Sequence, residues 1–352
     1  SFYSHRLAGE GYPFDNLQIS AVRPGTPLYV LGTSVDGAWH YVQTPDVQGW
    51  VRSDGVGTAS ERFVDAWRAA SAKSLGAVIG AFTPVRDSRG VFRFEAPAGT
   101  LLPLVAASAS ADSAMRGGKM RASAPASGVS SNDNETGMDA NAAPPPPTPR
   151  TVLVPARGAE GEALIRTAEL DDTQIAPMPL AATPRHLATL MKALIGRPYG
   201  WGNSGLYNDC SSELQSIFAT FGVWLPRHSS TQMSAGRMID LSASTPAQRL
   251  DYLAAHGVPL RTLIYIGGHV MLYIGNTTRN GVTVPVVYQD IWGLRPSDNS
   301  RRAVIGGSVI LPLLERIPED ATLQSLAGTP TFQLSILGAP TGATAPSPGS
   351  AP

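Results

Sequence analysis

The sequence has 352 residues, and its 27 lysines and arginines balance 27 aspartates and glutamates. Such a neutral chain lacks the basic surface that nucleic-acid binding needs, and no apolar run approaches the roughly 20 residues of a membrane-spanning helix. We therefore expect no nucleic-acid partner and no integral membrane segment, and the length, with 30 prolines and 36 glycines, predicts two or three domains.

The first predicted domain, residues 1–58, is a small β-barrel. Short apolar runs at 28–31, 39–42 and 49–51 have the composition of strands, and Gly, Asp and Pro turns separate them. An Asp-Gly pair between the first two runs is typical of a hairpin turn.

A linking helix is predicted over residues 59–76, because apolar residues recur there at helical spacing. Residues 77–178 are predicted to form a second small barrel. Residues 98–102 partly repeat residues 24–28, which indicates a diverged copy of the first domain.

A long insertion interrupts the second predicted barrel. Residues 106–150 are rich in Ala, Ser, Gly, Asn and Pro and contain no aromatic residue, leucine or isoleucine. Such a segment cannot bury enough apolar surface to offset the entropy of ordering it, so we predict that it is disordered. Predicted strands flank it on both sides, which makes it a candidate hairpin insertion. The tail at 338–352 has the same character and the same prediction.

The third predicted domain spans residues 179–337 and opens with an amphipathic helix. Thr183 is a candidate N-cap, and Pro184 suits the first helical position. A similar unit begins at Thr245 and Pro246. We expect both helices to have a structural role.

Cys210 is the only cysteine, so an internal disulfide is impossible. Apolar residues recur after it at helical spacing until Gly222, which has the position of a C-terminal cap. This pattern places Cys210 at a helix N-terminus, where unpaired N–H groups and the helix dipole favour the nucleophilic thiolate with a lowered pKa.

A candidate base lies about sixty residues later in the sequence. His269 follows a glycine pair and begins a β-rich apolar run. A cysteine and a histidine that are distant in sequence but adjacent in the fold are typical of nucleophilic catalysis. The next predicted strand ends in Gln289 and Asp290, and either side chain could fix the imidazole tautomer.

These segments together resemble the NlpC/P60 cysteine peptidases of bacterial cell walls. The resemblance rests on the Asp-Cys-Ser turn at 209–211, the Gly-His-Val strand at 268–270, the Leu-Pro-Arg loop at 225–227 and the following Gln232. It implies an α+β, papain-like domain in which the nucleophile helix packs against an antiparallel sheet. The two preceding modules resemble bacterial SH3 (SH3b) domains.

The resemblance also implies roles for individual residues. Cys210 is the nucleophile, His269 is the base and Gln289 orients the imidazole, with Asp290 as the competing candidate. Tyr199 is expected to support the oxyanion. The third position is often histidine in this family, and an uncharged glutamine would stabilise the imidazolium less. A second departure is a serine at position 212, where glycine is commoner.

Substrate-binding residues are implied in the same way. Asp209 and Ser211 are expected to bind the free amine of the first substrate residue, although both also suit plain helix capping. If the first barrel leans over the cleft, Tyr12, Glu10 and Asp15 would complete this amine pocket.

The Leu-Pro-Arg loop supplies two further candidates. Arg227 is expected to contact substrate. His228 is expected at the edge of the substrate cleft rather than as the base, because it follows a loop and does not open a strand.

The leading hypothesis is a cell-wall endopeptidase that cleaves D-glutamyl–diamino acid bonds in the stem peptides of peptidoglycan muropeptides. It is expected to be a monomer of the cell envelope. The alternatives are an inactive or regulatory wall-binding protein and a related thiol amidase or acyltransferase. The sequence has no HExxH motif, no paired Cys/His spacing and no glycine-rich phosphate loop, so neither a metal nor another cofactor is implied.

Overall fold

The computed structural model describes residues 14–15, 17–105 and 146–338. The first module is, within this part of the chain, an antiparallel sheet in the order β1-β2-β3. Its strands are β1 (Tyr29–Thr33), β2 (Trp39–Gln43) and β3 (Gln48–Arg52). The predicted Asp-Gly turn joins β1 to β2, and Gly37 there has a φ of 70°, which favours glycine.

Helix α1 (Glu61–Lys73) connects the two N-terminal modules. The Ser60 hydroxyl accepts a hydrogen bond from the Phe63 N–H and so caps the helix N-terminus. The predicted linking segment extended to residue 76, which is too long. The chain already enters strand β4 at Leu75, because this residue pairs with Pro103 on a neighbouring strand.

The described residues of the second module form seven strands around a small apolar core. They are β4 (Leu75–Val78), β5 (Phe82–Arg86), β6 (Phe92–Pro97), β7 (Leu101–Pro103), β8 (Pro149–Arg157), β9 (Ala163–Asp171) and β10 (Ile175–Met178). The sheets have the orders β10-β4-β7, β5-β6 and β8-β9. Val78, Val85, Leu102, Val152 and Ile175 are fully buried in the core between them.

The predicted insertion lies between neighbouring strands of this module. Leu104 forms an antiparallel bridge with Val152, so the chain leaves β7 and returns beside it on β8. Residues 106–145 lie outside the described residues, as do residues 339–352 of the predicted tail. The prediction of disorder is wrong at Pro149 and Arg150, because these residues begin β8 and pair with the end of β9.

The C-terminal domain is a six-stranded antiparallel sheet with helices on both faces. Its sheet order is β11-β16-β12-β13-β14-β15. The strands are β11 (Arg237–Asp240), β12 (Thr262–Tyr265), β13 (Val270–Arg279), β14 (Val282–Leu294), β15 (Ala303–Pro312) and β16 (Gln333–Ile336). The helices are α2 (Pro184–Leu194), α3 (Cys210–Thr220) and α4 (Pro246–His256).

Side-chain alternation along the strands explains the layering. On β13, Val270 and Leu272 pack with α2 and α3, whereas Met271 and Tyr273 pack with α4 on the other face. The α+β fold expected from the sequence is therefore confirmed. No helix among the described residues is long and apolar enough to cross a membrane.

Candidate active site

Cys210 is the first residue of α3, as the helical spacing predicts. Asp209 caps the helix, because its Oδ1 accepts the Ser212 N–H at 3.0 Å while the Ser212 hydroxyl accepts the Asp209 N–H at 2.9 Å. The Ser212 hydroxyl also accepts a bond of 2.9 Å from the Asn203 side chain. Serine at the position where glycine is commoner therefore completes a capping box and ties the loop before the helix to its first turn.

The Cys210 thiol is buried, with 6% of the residue exposed. The backbone N–H of Val270, the residue after His269, donates a hydrogen bond to it. Burial, followed by the negative charge of Asp209, raises the thiol pKa to about 12. The expectation of a lowered thiol pKa is thus wrong, because desolvation outweighs the effect of the helix N-terminus.

His269 lies at the start of β13 and bonds to Gln289 on β14. The distance from its Nε2 to Gln289 Oε1 is 2.7 Å. Because the amide oxygen only accepts, Nε2 carries the proton and Nδ1 is left as the proton acceptor. Burial lowers the imidazole pKa to about 4, so the ring is neutral at physiological pH. Between the two candidate third residues, the one that bonds the imidazole is Gln289.

Asp290 occupies a different environment from Gln289. It is 1% exposed, and neither carboxylate oxygen has a hydrogen-bond partner among the described residues. Burial and the nearby carboxylates of Glu213 and Asp209 raise its pKa to about 10. Asp290 is therefore a neutral acid beside the thiol, rather than a charged orienter.

Glu213 is a buried residue of this site that the sequence analysis missed. It receives hydrogen bonds from the Tyr288 hydroxyl, from Ser308 Oγ at 2.8 Å and from Asn208 Nδ2 at 3.3 Å. Burial raises its pKa to about 7. The one local signal was a carboxylate in the first turn of α3, where an acidic residue usually just complements the helix dipole.

Arg227 bonds to residues at the N-terminus of α3. Its guanidinium contacts Asp209 at 2.6 Å, the Ser211 hydroxyl at 2.9 Å and the Ser20 hydroxyl at 2.8 Å. Both partners of the ion pair are over nine-tenths buried. Burial alone would raise the pKa of Asp209, but Arg227 and the Ser212 N–H outweigh it and lower that pKa. Three predicted substrate contacts, Asp209, Ser211 and Arg227, thus bond to one another.

Gln232 holds the loop that contains Arg227 in place through hydrogen bonds. The Gln232 side-chain amide donates to the carbonyls of Ser211 and Pro226, at 2.8 and 2.9 Å. His228 is exposed and its carbonyl accepts the Gln232 N–H. These contacts hold the loop against the nucleophile helix, while the His228 side chain lies at the surface.

The N-terminal segment passes directly over the loop between α2 and α3. Phe14 packs against the rings of Tyr199, Trp201 and Trp292, with centroids 5.1 to 6.1 Å apart. The Trp201 indole donates to the Asp15 carbonyl at 3.0 Å. Asp15 thus lies over the catalytic domain, whereas Tyr12 and Glu10 are outside the described residues.

The N-terminal segment and the loop between α2 and α3 approach each other closely. Gly202 has a φ of 59°, and a Cβ there would lie 2.9 Å from the Gln18 carbonyl oxygen, so only glycine fits. Tyr199 is half-buried beneath the segment, and desolvation together with the nearby Cys210 and Asp209 raises its pKa. The Tyr199 hydroxyl therefore stays protonated beside the thiol and can donate a hydrogen bond.

Comparison with known proteins agrees with this architecture. Residues 1–52 match the model of the SH3 domain of SH3b1 type, residues 60–109 that of SH3b2 type, and residues 196–297 that of the NlpC/P60 family. The chain carries two SH3 domains and an NlpC/P60 domain. This composition confirms the family resemblance found in the sequence.

Curated relatives match over a limited region. The probable endopeptidase p60 of Listeria monocytogenes is 30% identical over 100 residues, which cover 28% of this chain and 20% of that protein. The p60 protein of Listeria seeligeri is 29% identical over 100 residues and is covered to 18%. The chain thus matches about a fifth of the length of these relatives.

Solved structures share the fold over much more of the chain. An NlpC/P60 endopeptidase from Photobacterium damselae subsp. piscicida is 24% identical with a TM-score of 0.74, covering 96% of this chain and 69% of that one. An NlpC/P60 family protein from Bacillus cereus is 15% identical with a TM-score of 0.50, covering 86% and 79%. The arrangement of all three modules is therefore one that other proteins adopt.

Proposed function

We propose that this protein is a cysteine endopeptidase that hydrolyses peptidoglycan stem peptides between D-glutamate and the diamino acid. The observation that carries the proposal is the Nε2–Gln289 bond of His269, which leaves Nδ1 unprotonated next to the residue that binds the Cys210 thiol. The family model and the names of the p60 relatives support a peptidase. By the same resemblance, we place the protein in the cell envelope.

In the proposed reaction, His269 Nδ1 takes the Cys210 proton as the sulfur attacks the carbonyl carbon of the scissile amide. Before the reaction the Cys210 thiol and the His269 imidazole are both neutral, because burial disfavours the thiolate and the imidazolium. Proton transfer creates both charges at once, so that the thiolate and the imidazolium stabilise each other. Gln289 holds the ring in position throughout.

The negative charge then develops on the carbonyl oxygen. The Cys210 N–H, which lies at the first position of the helix and has no acceptor within that helix, and the protonated Tyr199 hydroxyl are the proposed oxyanion donors. The imidazolium protonates the leaving amine as the C–N bond breaks, and a thioester remains on Cys210. Water, deprotonated by the same imidazole, hydrolyses the thioester and restores the thiol.

Recognition of a free substrate amine is a further part of this proposal. Asp209 already pairs with Arg227, so an incoming ammonium would compete with a guanidinium for it. We therefore assign the amine to Asp15 and to the predicted residues Tyr12 and Glu10. Asp209, Ser211 and Arg227 would then shape the pocket wall and hold the nucleophile helix.

Incubation with purified muropeptides, followed by mass spectrometry, tests the reaction. Products cut between D-glutamate and the diamino acid are expected from the wild type but not from Cys210→Ala or His269→Ala. Binding of wall fragments without cleavage would instead indicate a regulatory protein. Cleavage or acyl transfer at a different amide or ester would indicate another thiol enzyme.

A further inference from the structure

A cavity of about 320 Å³ lies where the three modules meet. Its walls come from residues 20–27 and 44–47 of the first module, residues 99–101 of the second, and the end of α3 with the turn after it. Neither Cys210 nor His269 lines it. The volume falls in the range of small-molecule pockets, at the lower end of about 300 to 1,000 Å³.

Two opposite charges line this cavity without touching each other. Arg23 and Asp46 form no ion pair among the described residues. The Arg23 guanidinium donates to the Ser216 hydroxyl, and the Asp46 Oδ1 accepts from the Gln215 amide at 2.9 Å. Each charged group therefore has a neutral side chain of α3 as its described hydrogen-bond partner.

Both charged side chains are half-buried and keep hydrogen-bonding capacity beyond these single partners. Burial lowers the Arg23 pKa to about 10, Asp46 opposes that shift, and the positive charge of Arg227 adds to it. A guanidinium in a fixed fork geometry binds a carboxylate through two parallel hydrogen bonds, which a single hydroxyl does not replace. Donors on Arg23 and an acceptor on Asp46 are thus left for a further partner.

The remaining walls limit what that partner can be. Apolar side chains, among them Val47, Leu101 and Trp224, face the same cavity. A ligand that carries both charges would suit Arg23 and Asp46 together, whereas a simple anion would be repelled by Asp46. The ligand would also need a small apolar body.

We propose that this cavity binds a zwitterionic amino acid or dipeptide, with its carboxylate on Arg23, its ammonium toward Asp46 and its apolar side chain against the Leu101 and Trp224 wall. The bound molecule would bridge the first module to the nucleophile helix through Gln215 and Ser216. The site is distinct from the proposed catalytic cleft, and its occupancy does not depend on turnover.

Calorimetric titration of the full chain with alanylalanine, in its L,L and D,D forms, tests the proposal. Matched probes are N-acetyl-alanylalanine, which lacks the ammonium, and alanylalaninamide, which lacks the carboxylate. We expect each blocked probe to bind about tenfold or more weakly than the zwitterion, the loss expected for one charged hydrogen bond. Equal affinities, or no binding at millimolar dipeptide, would overturn the proposal.

Variants locate the binding. Arg23→Gln and Asp46→Asn should each weaken it by a similar factor, and Arg52→Gln on the exposed first sheet is the matched control. Ala219→Leu leaves both charges in place and fills the cavity, so it should abolish binding even if Arg23→Gln fails to fold. If a folded Ala219→Leu variant still binds the dipeptide, the dipeptide binds elsewhere and the proposed site is wrong.

Discussion

Asp209 and Asp290 are buried aspartates beside the same thiol, and both raise the pKa of Cys210. Asp209 accepts hydrogen bonds from two backbone N–H groups, the Ser211 hydroxyl and the Arg227 guanidinium. Asp290 has no described partner on either oxygen. Their pKa values accordingly move in opposite directions, below the usual range for Asp209 and up to about 10 for Asp290.

The contrast shows that donors, rather than depth of burial, decide whether a carboxyl group near the nucleophile is charged. Asp209 is a fixed negative charge that holds the helix N-terminus and the Leu-Pro-Arg loop together. Asp290 is a neutral acid whose pKa the nearby carboxylate of Glu213 raises further. A substitution at either position should therefore have a different effect on stability, catalysis and pH dependence.

The largest effect is expected from Asp209→Ala. This change removes the helix cap and leaves the Arg227 guanidinium buried without its carboxylate, which should cost about 3 to 5 kcal/mol of unfolding free energy. Urea-induced unfolding measures the loss. The control is Asp290→Asn, which removes no described hydrogen bond and should cost less than about 1 kcal/mol. Similar losses for the two variants would refute the contrast.

The next effect concerns catalysis. Gln289→Ala should lower kcat on the order of 10²-fold, because the imidazole loses the partner that fixes its tautomer. Asp290→Asn should leave kcat within about threefold, since it does not touch the ring. Gln289→His should restore most of the activity. If Asp290→Asn proved the more damaging substitution, the third catalytic role would belong to Asp290 instead.

The sequence predicted those parts of the site that depend on short-range signals. The Thr-Pro starts of α2 and α4 and the N-terminal position of Cys210 are confirmed, because caps and apolar spacing are local properties. Burial was not predictable in the same way. Glu213 receives two of its three hydrogen bonds from Tyr288 on β14 and Ser308 on β15, far along the chain. The Cys210 thiol is likewise buried by residues of the distant sheet strands, and this burial raises its pKa.

Arg227 is a second residue whose bonding partners could not be predicted from the sequence. Arg227 was expected to contact substrate because the family loop suggested it, yet its partners are Asp209, Ser211 and Ser20 of the first module. Only the folded arrangement of the modules brings Ser20 to this loop. Residue type and position within a motif therefore predicted where Arg227 lies, but not what it bonds.

The raised pKa values of Asp290 and its neighbour Glu213 predict that the stability of the folded protein depends on pH. The pKa values of Glu213 and Asp290 rise from ordinary values near 4 to about 7 and about 10 in the folded protein. The folded state then binds more protons than the unfolded state above pH about 4, so stability falls as pH rises, by at most about 1.4 kcal/mol per pH unit for each proton.

Unfolding measured in urea between pH 5 and pH 9 checks this slope. The decline should extend through pH 7 for Glu213 and continue toward pH 10 for Asp290. Asp290→Asn and Glu213→Gln should each flatten it, because the amides do not titrate. A wild type as stable at pH 9 as at pH 5, or variants with an unchanged slope, would show that Glu213 and Asp290 are not neutral acids in the folded protein.

The smallest effect is expected at Ser212, which bonds to the charged Asp209. Ser212→Gly gives the residue that is commoner in the family, and it removes the hydroxyl that accepts from the Asp209 N–H and the Asn203 amide. The loss should be about 1 kcal/mol, since Asn203 keeps acceptors on Tyr207 and Asn208 and the Asp209–Arg227 pair stays intact. Ser212→Ala removes the same hydroxyl without freeing the backbone, and the difference between the two variants in urea unfolding isolates the glycine contribution. Because Asp209 keeps its cation, turnover should be unchanged in both, and a loss of turnover in a stably folded Ser212→Ala variant would mean that the serine positions the thiol directly.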